Sequence, residues 1–196
     1  GAAATRAFTV DTIAPAAPVI TSPATGSLTN DNTVTVTGTA EANSTVVISD
    51  GATALGSTTA SAAGAWTFTT AALADGAHSL TARATDAATN QGPVSTAVVV
   101  NVDTVAPAAP VITAPAAGLV TNDNTQTVSG TAENNSVVTV SVGATQVCSA
   151  TASAAGAWSC TTSALADGAV TLSATARDAA NNTGTAATRS ITVDTV

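Results

Sequence analysis

The sequence contains no lysine, no methionine and no tyrosine, and it has a single histidine and two cysteines among 196 residues. Four arginines face twelve acids, for a net charge of −8. No basic cluster exists to neutralise phosphates, which excludes nucleic acid and anionic membrane surfaces as partners. No apolar run approaches the roughly 18 residues that a membrane-crossing helix needs, and the start does not resemble a secretion signal. A zinc signature, a G-x-S-x-G elbow and a phosphate loop are all missing, which leaves catalysis without its usual motifs. Aromatics amount to 2% and charged residues to 8%. What is present is 45% apolar residues in a Thr-, Ser-, Ala- and Gly-rich background, enough for packed cores. The length allows one large domain or two small ones.

Self-comparison decides between them. DTIAPAAPVITSPATGSLTNDNTVTVTGTAEANS, from Asp11, returns as DTVAPAAPVITAPAAGLVTNDNTQTVSGTAENNS from Asp103, an offset of 92 residues. ASAAGAW ends at Trp66 and again at Trp158, ALADG surrounds Asp75 and Asp167, and Asp86–Asn90 (DAATN) recurs as Asp178–Asn182 (DAANN). A partial third copy closes the chain at Val193-Asp194-Thr195. GAAATRAFTVDT at 1–12 nearly repeats GTAATRSITVDT at 184–195. Residues 1–10 are therefore expected to be the last strand of a preceding repeat, 11–102 one domain and 103–196 a second, all cut from a longer tandem array.

Within each unit, short alternating stretches are separated by turn signals every 8–12 residues, the pattern of an antiparallel sandwich. Val34 and Val36 alternate with Thr33, Thr35 and Thr37, and Leu80, Ala82 and Ala84 with Ser79, Thr81 and Arg83. Val98, Val100 and Val102 form a third such face. The spacing predicts seven strands in the first unit, at 18–22, 33–40, 45–50, 55–60, 65–70, 78–85 and 95–102. The expected fold is all-β: two tandem seven-stranded sandwiches joined end to end.

DTxAPxxP, NDN…GTAE, GAW, LADG, DAAxN and VDT, in fixed order and doubled, resemble the tandem bacterial immunoglobulin-like repeats of large repetitive surface adhesins of the biofilm-protein type. The resemblance covers essentially the whole chain. It implies a seven-stranded Ig-like sandwich, an extracellular or cell-surface location, and a stalk role in which calcium stiffens the joints between modules. The partners it implies are neighbouring repeats, calcium, and a host or cell-surface receptor engaged through other domains, with the chain itself a monomer.

Eleven of the twelve acids fall on recurring positions, all at strand ends or in loops; Asp50 alone lacks a counterpart, Val142 standing in its place. Strand order sends Asp11, Glu41 and Asp86 to one pole of the first sandwich. The same logic gathers Asp103, Glu133 and Asp178 where the second begins. Three carboxylates brought together repel unless a cation joins them, and an all-oxygen set suits Ca²⁺. The absence of His and Cys from these loops argues against zinc. One Ca²⁺ per linker is the expectation, with three solvated loop acids as the alternative. A second candidate lies at the opposite pole, Asp31 with Asp75 and Asp123 with Asp167. There the competing readings are an Asx turn for Asn-Asp-Asn and an ordinary Asp-Gly turn. The linker Asp103-Thr-Val-Ala-Pro107-Ala-Ala-Pro110 is semi-rigid through its two prolines.

Cys148 and Cys160 stand where the first unit has Gly56 and Phe68. A disulfide is expected to replace an aromatic lying over glycine across paired strands; two buried thiols are the alternative. Trp66 and Trp158 are expected in the cores. His78, replaced by Val170 in the second unit, is expected to be a solvated strand residue. The leading function is an extracellular, non-enzymatic spacer in an adhesin stalk, supporting cell adhesion or biofilm formation. The alternative is a module that binds a glycan or host protein directly.

Overall fold

β-branched residues dominate the alternating stretches, and Gly, Asn, Asp and Pro break them, so the chain has many short strands and no long element. The computed structural model describes residues 6–196 and divides the chain into two units, Gly1–Asp103 and Thr104–Val196. No helix occurs among the described residues, so none is long and apolar enough to cross a membrane.

Among the described residues the first unit has nine strands: β1 (Val19–Ser22), β2 (Ser27–Thr29), β3 (Thr35–Thr39), β4 (Thr45–Asp50), β5 (Thr53–Thr59), β6 (Ala65–Thr69), β7 (Gly76–Thr85), β8 (Gln91–Val94) and β9 (Val98–Val102). One sheet runs β1-β3-β6; the other runs β2-β9-β7-β4-β5, with β8 on β7. All pairs are antiparallel except β2 with β9, which places Ser27 beside Val100 and Thr29 beside Val102 in parallel. The seven strands expected from spacing are present within a few residues of their expected ends. β2 and β8 are additions, because three or four residues pairing at an edge leave no period to read.

The second unit repeats the plan with β10 (Val111–Ala114), β11 (Val120–Thr121), β12 (Thr127–Thr131), β13 (Val137–Val142), β14 (Thr145–Thr151), β15 (Ala157–Thr161), β16 (Gly168–Arg177) and β17 (Ala187–Val193). Its sheets are β10-β12-β15 and β11-β17-β16-β13-β14. A single bridge, Arg177 to Thr183, stands where the first unit has β8.

Each unit closes its own core. In the first, Val36, Val46, Ile48, Leu80 and Ala82 are fully buried with Trp66 among them; in the second, Val128, Val138, Val140, Leu172 and Ala174 surround Trp158. Both tryptophans are core residues, as expected. Gly38 explains why Trp66 fits: a Cβ there would overlap both the indole and the Val19 carbonyl.

Residues 1–5 of the proposed orphan strand lie outside the described residues. Arg6–Val10 are exposed and belong to no strand, with Phe8 and Val10 on the surface.

Candidate functional site

The segment that leads into each unit packs against that unit. Pro15 is fully buried, and its carbonyl lies over Gly92 so closely that a Cβ on that glycine would strike it. In the second unit the Pro107 carbonyl covers Gly184 in the same way. The fixed φ of proline and the missing side chain of glycine thus act together to seat the segment.

Asp86, after β7, accepts the Asn90 amide through Oδ1 at 2.8 Å and the Asn90 Nδ2 through Oδ2 at 2.8 Å. The second hydrogen of that Nδ2 goes to the Asp11 carbonyl at 3.1 Å. One asparagine therefore joins the β7–β8 loop to the leading segment. The bonds from Asn90 hold the Asp86 carboxyl below the ordinary carboxylate range, chiefly through the side-chain amide. Asp11 Oδ1 accepts the Ile13 amide at 3.0 Å. Glu41 sits in the β3–β4 turn, where its carbonyl accepts the Ser44 amide and hydroxyl at 3.1 and 2.7 Å. Because Thr45 pairs with Thr85, that turn and the β7–β8 loop occupy one end of the sandwich, so Asp11, Glu41 and Asp86 share a pole.

In the second unit Asp178 accepts Asn182 through both oxygens at 2.8 Å, and the Glu133 carbonyl accepts Ser136 at 3.1 and 2.7 Å. Asp103 ends the first unit, where its amide donates to Thr29 at 2.9 Å.

At the opposite pole the acids have turn duties. Asp31 Oδ1 accepts both the amide and the hydroxyl of Thr33, at 2.8 and 2.7 Å, and Asp123 does the same for Thr125 at 2.9 Å each. These bonds hold both carboxyls low, the Thr33 hydroxyl leading for Asp31 and the Thr125 amide for Asp123. Asp167 takes the Thr195 amide and hydroxyl at 3.1, 2.8 and 2.9 Å, so the Asp-Gly acid of the second unit fastens the segment that follows β17. Asp75 holds the equivalent position in the first unit.

All these donors are hard oxygens, the type a calcium ion takes. Among the described residues, however, no group of three His, Cys, Asp or Glu side chains stands close enough to enclose a metal. The shared pole brings backbone segments together; it does not of itself converge three carboxylates.

Cys148 and Cys160 form a disulfide, with Cα atoms 5.9 Å apart. β14 and β15 belong to different sheets, so the bridge crosses the sandwich instead of joining paired strands. The first unit has the same relation in another form: the Phe68 ring lies 2.8 Å from where a Gly56 Cβ would be. The expected cross-strand cover is corrected to a cross-sheet one, because the strand beginning at Thr53 pairs with β4 and not with β6.

His78 is not solvated. Its side chain is 13% exposed, its Nδ1 is 2.7 Å from Asp50 Oδ2, and its Nε2 is 2.8 Å from the Ala74 carbonyl. Asp50 Oδ1 accepts the Ser79 amide at 2.8 Å. Sequence reasoning noted both residues as departures from the repeat but treated them separately. The signal was that both are replaced by valine, Val142 and Val170, on adjacent strands.

A family model described as Bacterial Ig-like domain matches residues 19–104 and again 114–195. Comparison with curated proteins finds no match. Among solved structures, the fibronectin(III)-like modules of Clostridium thermocellum CbhA align at TM-score 0.58 and 20% identity over 90% of this chain and 94% of theirs. The BSP domain of a biofilm-associated protein aligns at 0.34 and 19%, over 92% of this chain and 30% of that one. The D0-D1 domain of intimin aligns at 0.33 and 16%, over 90% and 99%.

Proposed function

From the premise that the chain belongs to the bacterial Ig-like domain family, as two tandem copies, we propose that it is a spacer: modules of an extracellular stalk that holds an adhesive element away from a bacterial surface. The observation that carries this reading is the repetition itself. The two copies share sheet order, turn chemistry and leading-segment seating, and both bury a tryptophan among valines and a leucine in the core. A depression of about 400 Å³ on the first unit, lined by Val47, Ser49, Thr81, Arg83, Gln91 and Val94, has no aromatic platform of the kind a sugar-binding site uses. The disulfide supports an oxidising, extracellular setting. Catalysis is no part of the proposal, since each acid described above serves a turn, a strand end or a loop.

Calcium is the proposed stiffener of the joints. Asp11, Glu41 and Asp86 would hold it in the first unit, and Asp103, Glu133 and Asp178 are their counterparts along the repeat. The ion would supply the positive charge needed to draw the carboxylates of one pole together.

Small-angle scattering with calcium and with EDTA tests both parts. A spacer gives a radius of gyration well above the ~16 Å of a single globule of this length, and calcium raises it or narrows the distance distribution. A compact particle in both conditions overturns the spacer. An extended particle that ignores calcium, with no heat in a calorimetric titration, overturns the stiffener alone.

A further inference from the structure

The two positions where the first unit carries charge and the second carries valine meet in space. We propose that Asp50 and His78 form a proton-operated clasp, present in the first unit only, which in its protonated state ties the end of β4 and the β6–β7 loop to β7. Both groups facing the imidazole are acceptors: Asp50 Oδ2 at 2.7 Å from Nδ1 and the Ala74 carbonyl at 2.8 Å from Nε2. A neutral imidazole has one N–H and one lone pair. Deprotonation therefore turns a lone pair toward an oxygen on one side of a ring that is only 13% exposed. The imidazolium alone satisfies both contacts. Asp50 also accepts the Ser79 amide at 2.8 Å, so the carboxylate is already fixed in place to receive the ring.

Among the described residues, no other ionisable side chain faces the pair from its neighbouring strands. Val100 stands opposite His78 on β9, which reads Val-Val-Val-Asn-Val, and neither β2 nor β5 carries an ionisable residue. The other acids at this end are Asp31 after β2, Asp75 in the β6–β7 loop and Asp103 after β9, all of the same sign as Asp50. In line with the geometry, the Asp50 bond first and the Ala74 carbonyl second push His78 above the ordinary histidine value, against the opposing effect of burial. At the same positions the second unit has Val142 and Val170, both packed with its apolar core and without a proton to lose.

Since the chain has one histidine, proton NMR of the full chain shows a single imidazole titration. The expected midpoint lies above 6.5, and Asp50→Asn brings it down. The double variant D50V/H78V installs the pair the second unit already uses, and its melting temperature should not change between pH 6 and 8, whereas the native chain melts higher at pH 6. A midpoint at or below 6.5, or one unmoved by Asp50→Asn, overturns the clasp. So does an identical pH dependence of melting in the native chain and the double variant. Should the double variant fail to fold, the titration midpoint still decides.

Discussion

At the scale of single residues, what seats the leading segment of each unit is a glycine under a proline carbonyl. Gly92 has no positive φ to explain it; its reason is the close approach of the Pro15 backbone, with the Asn90 side chain gripping the Asp11 carbonyl beside it. A methyl group there must push the segment off, because the obstacle is backbone and not the mobile end of a side chain. Gly92→Ala is therefore expected to destabilise the first unit by about 1–3 kcal/mol, the range for overpacking a tight contact. It should also speed proteolysis within residues 11–18, where the released segment becomes extended and accessible. Limited digestion followed by mass spectrometry reads both the rate and the site. Cleavage no faster than in the native chain, with unchanged melting, would show that the segment is held by other means.

At the scale of elements, the cross-sheet contact between the fourth and fifth long strands comes in two chemical versions that fill one place. In β5 and β6 it is a phenyl ring over glycine, and in β14 and β15 it is a disulfide. Replacing both cysteines with alanine removes the bridge and fills nothing, and should cost the second unit roughly 2–4 kcal/mol. The exchange C148G/C160F should recover much of that loss, because the first unit shows that the neighbouring strands accept the ring. Thermal melts of the two variants against the native chain check this; equal losses would mean that the site is not interchangeable. The strands themselves were legible in advance, since Val34/Val36 and Leu80/Ala82/Ala84 alternate with polar residues and are buried as the alternation requires. β2 was not, because its position depends on a parallel partner 73 residues away, Ser27 beside Val100. The poles of the loop acids followed from strand order. Their individual duties did not, for they rest on bonds from Thr33, Asn90 and Thr195 that strand order leaves open. His78 was misread because a single position cannot show a partner; only the paired replacement of Asp50 and His78 by valines carries that information.

At the scale of the whole chain, two separate cores with different internal ties should respond to different solution conditions. The second unit depends on a disulfide and has no histidine, while the first has His78 and no cysteine. Calorimetry of the intact chain should accordingly show two transitions that can be moved one at a time. A reductant lowers the transition of the second unit, since the cross-link constrains its unfolded chain. The direction of the pH effect follows from His78, whose folded pKa lies above its unfolded value of 6.5. Its contribution is complete below 6.5 and fades as pH rises through the folded value, because the unfolded chain then binds fewer protons than the folded one. Between pH 6 and 8 ordinary carboxylates, which titrate near 4, stay ionised in both states and add little slope. The first transition should thus fall on going from pH 6 to 8 while the second holds still, and the reductant should do the reverse. If both transitions moved together under either change, the two units would not be melting as separate cores, and a stalk assembled from autonomous modules would lose its thermodynamic basis.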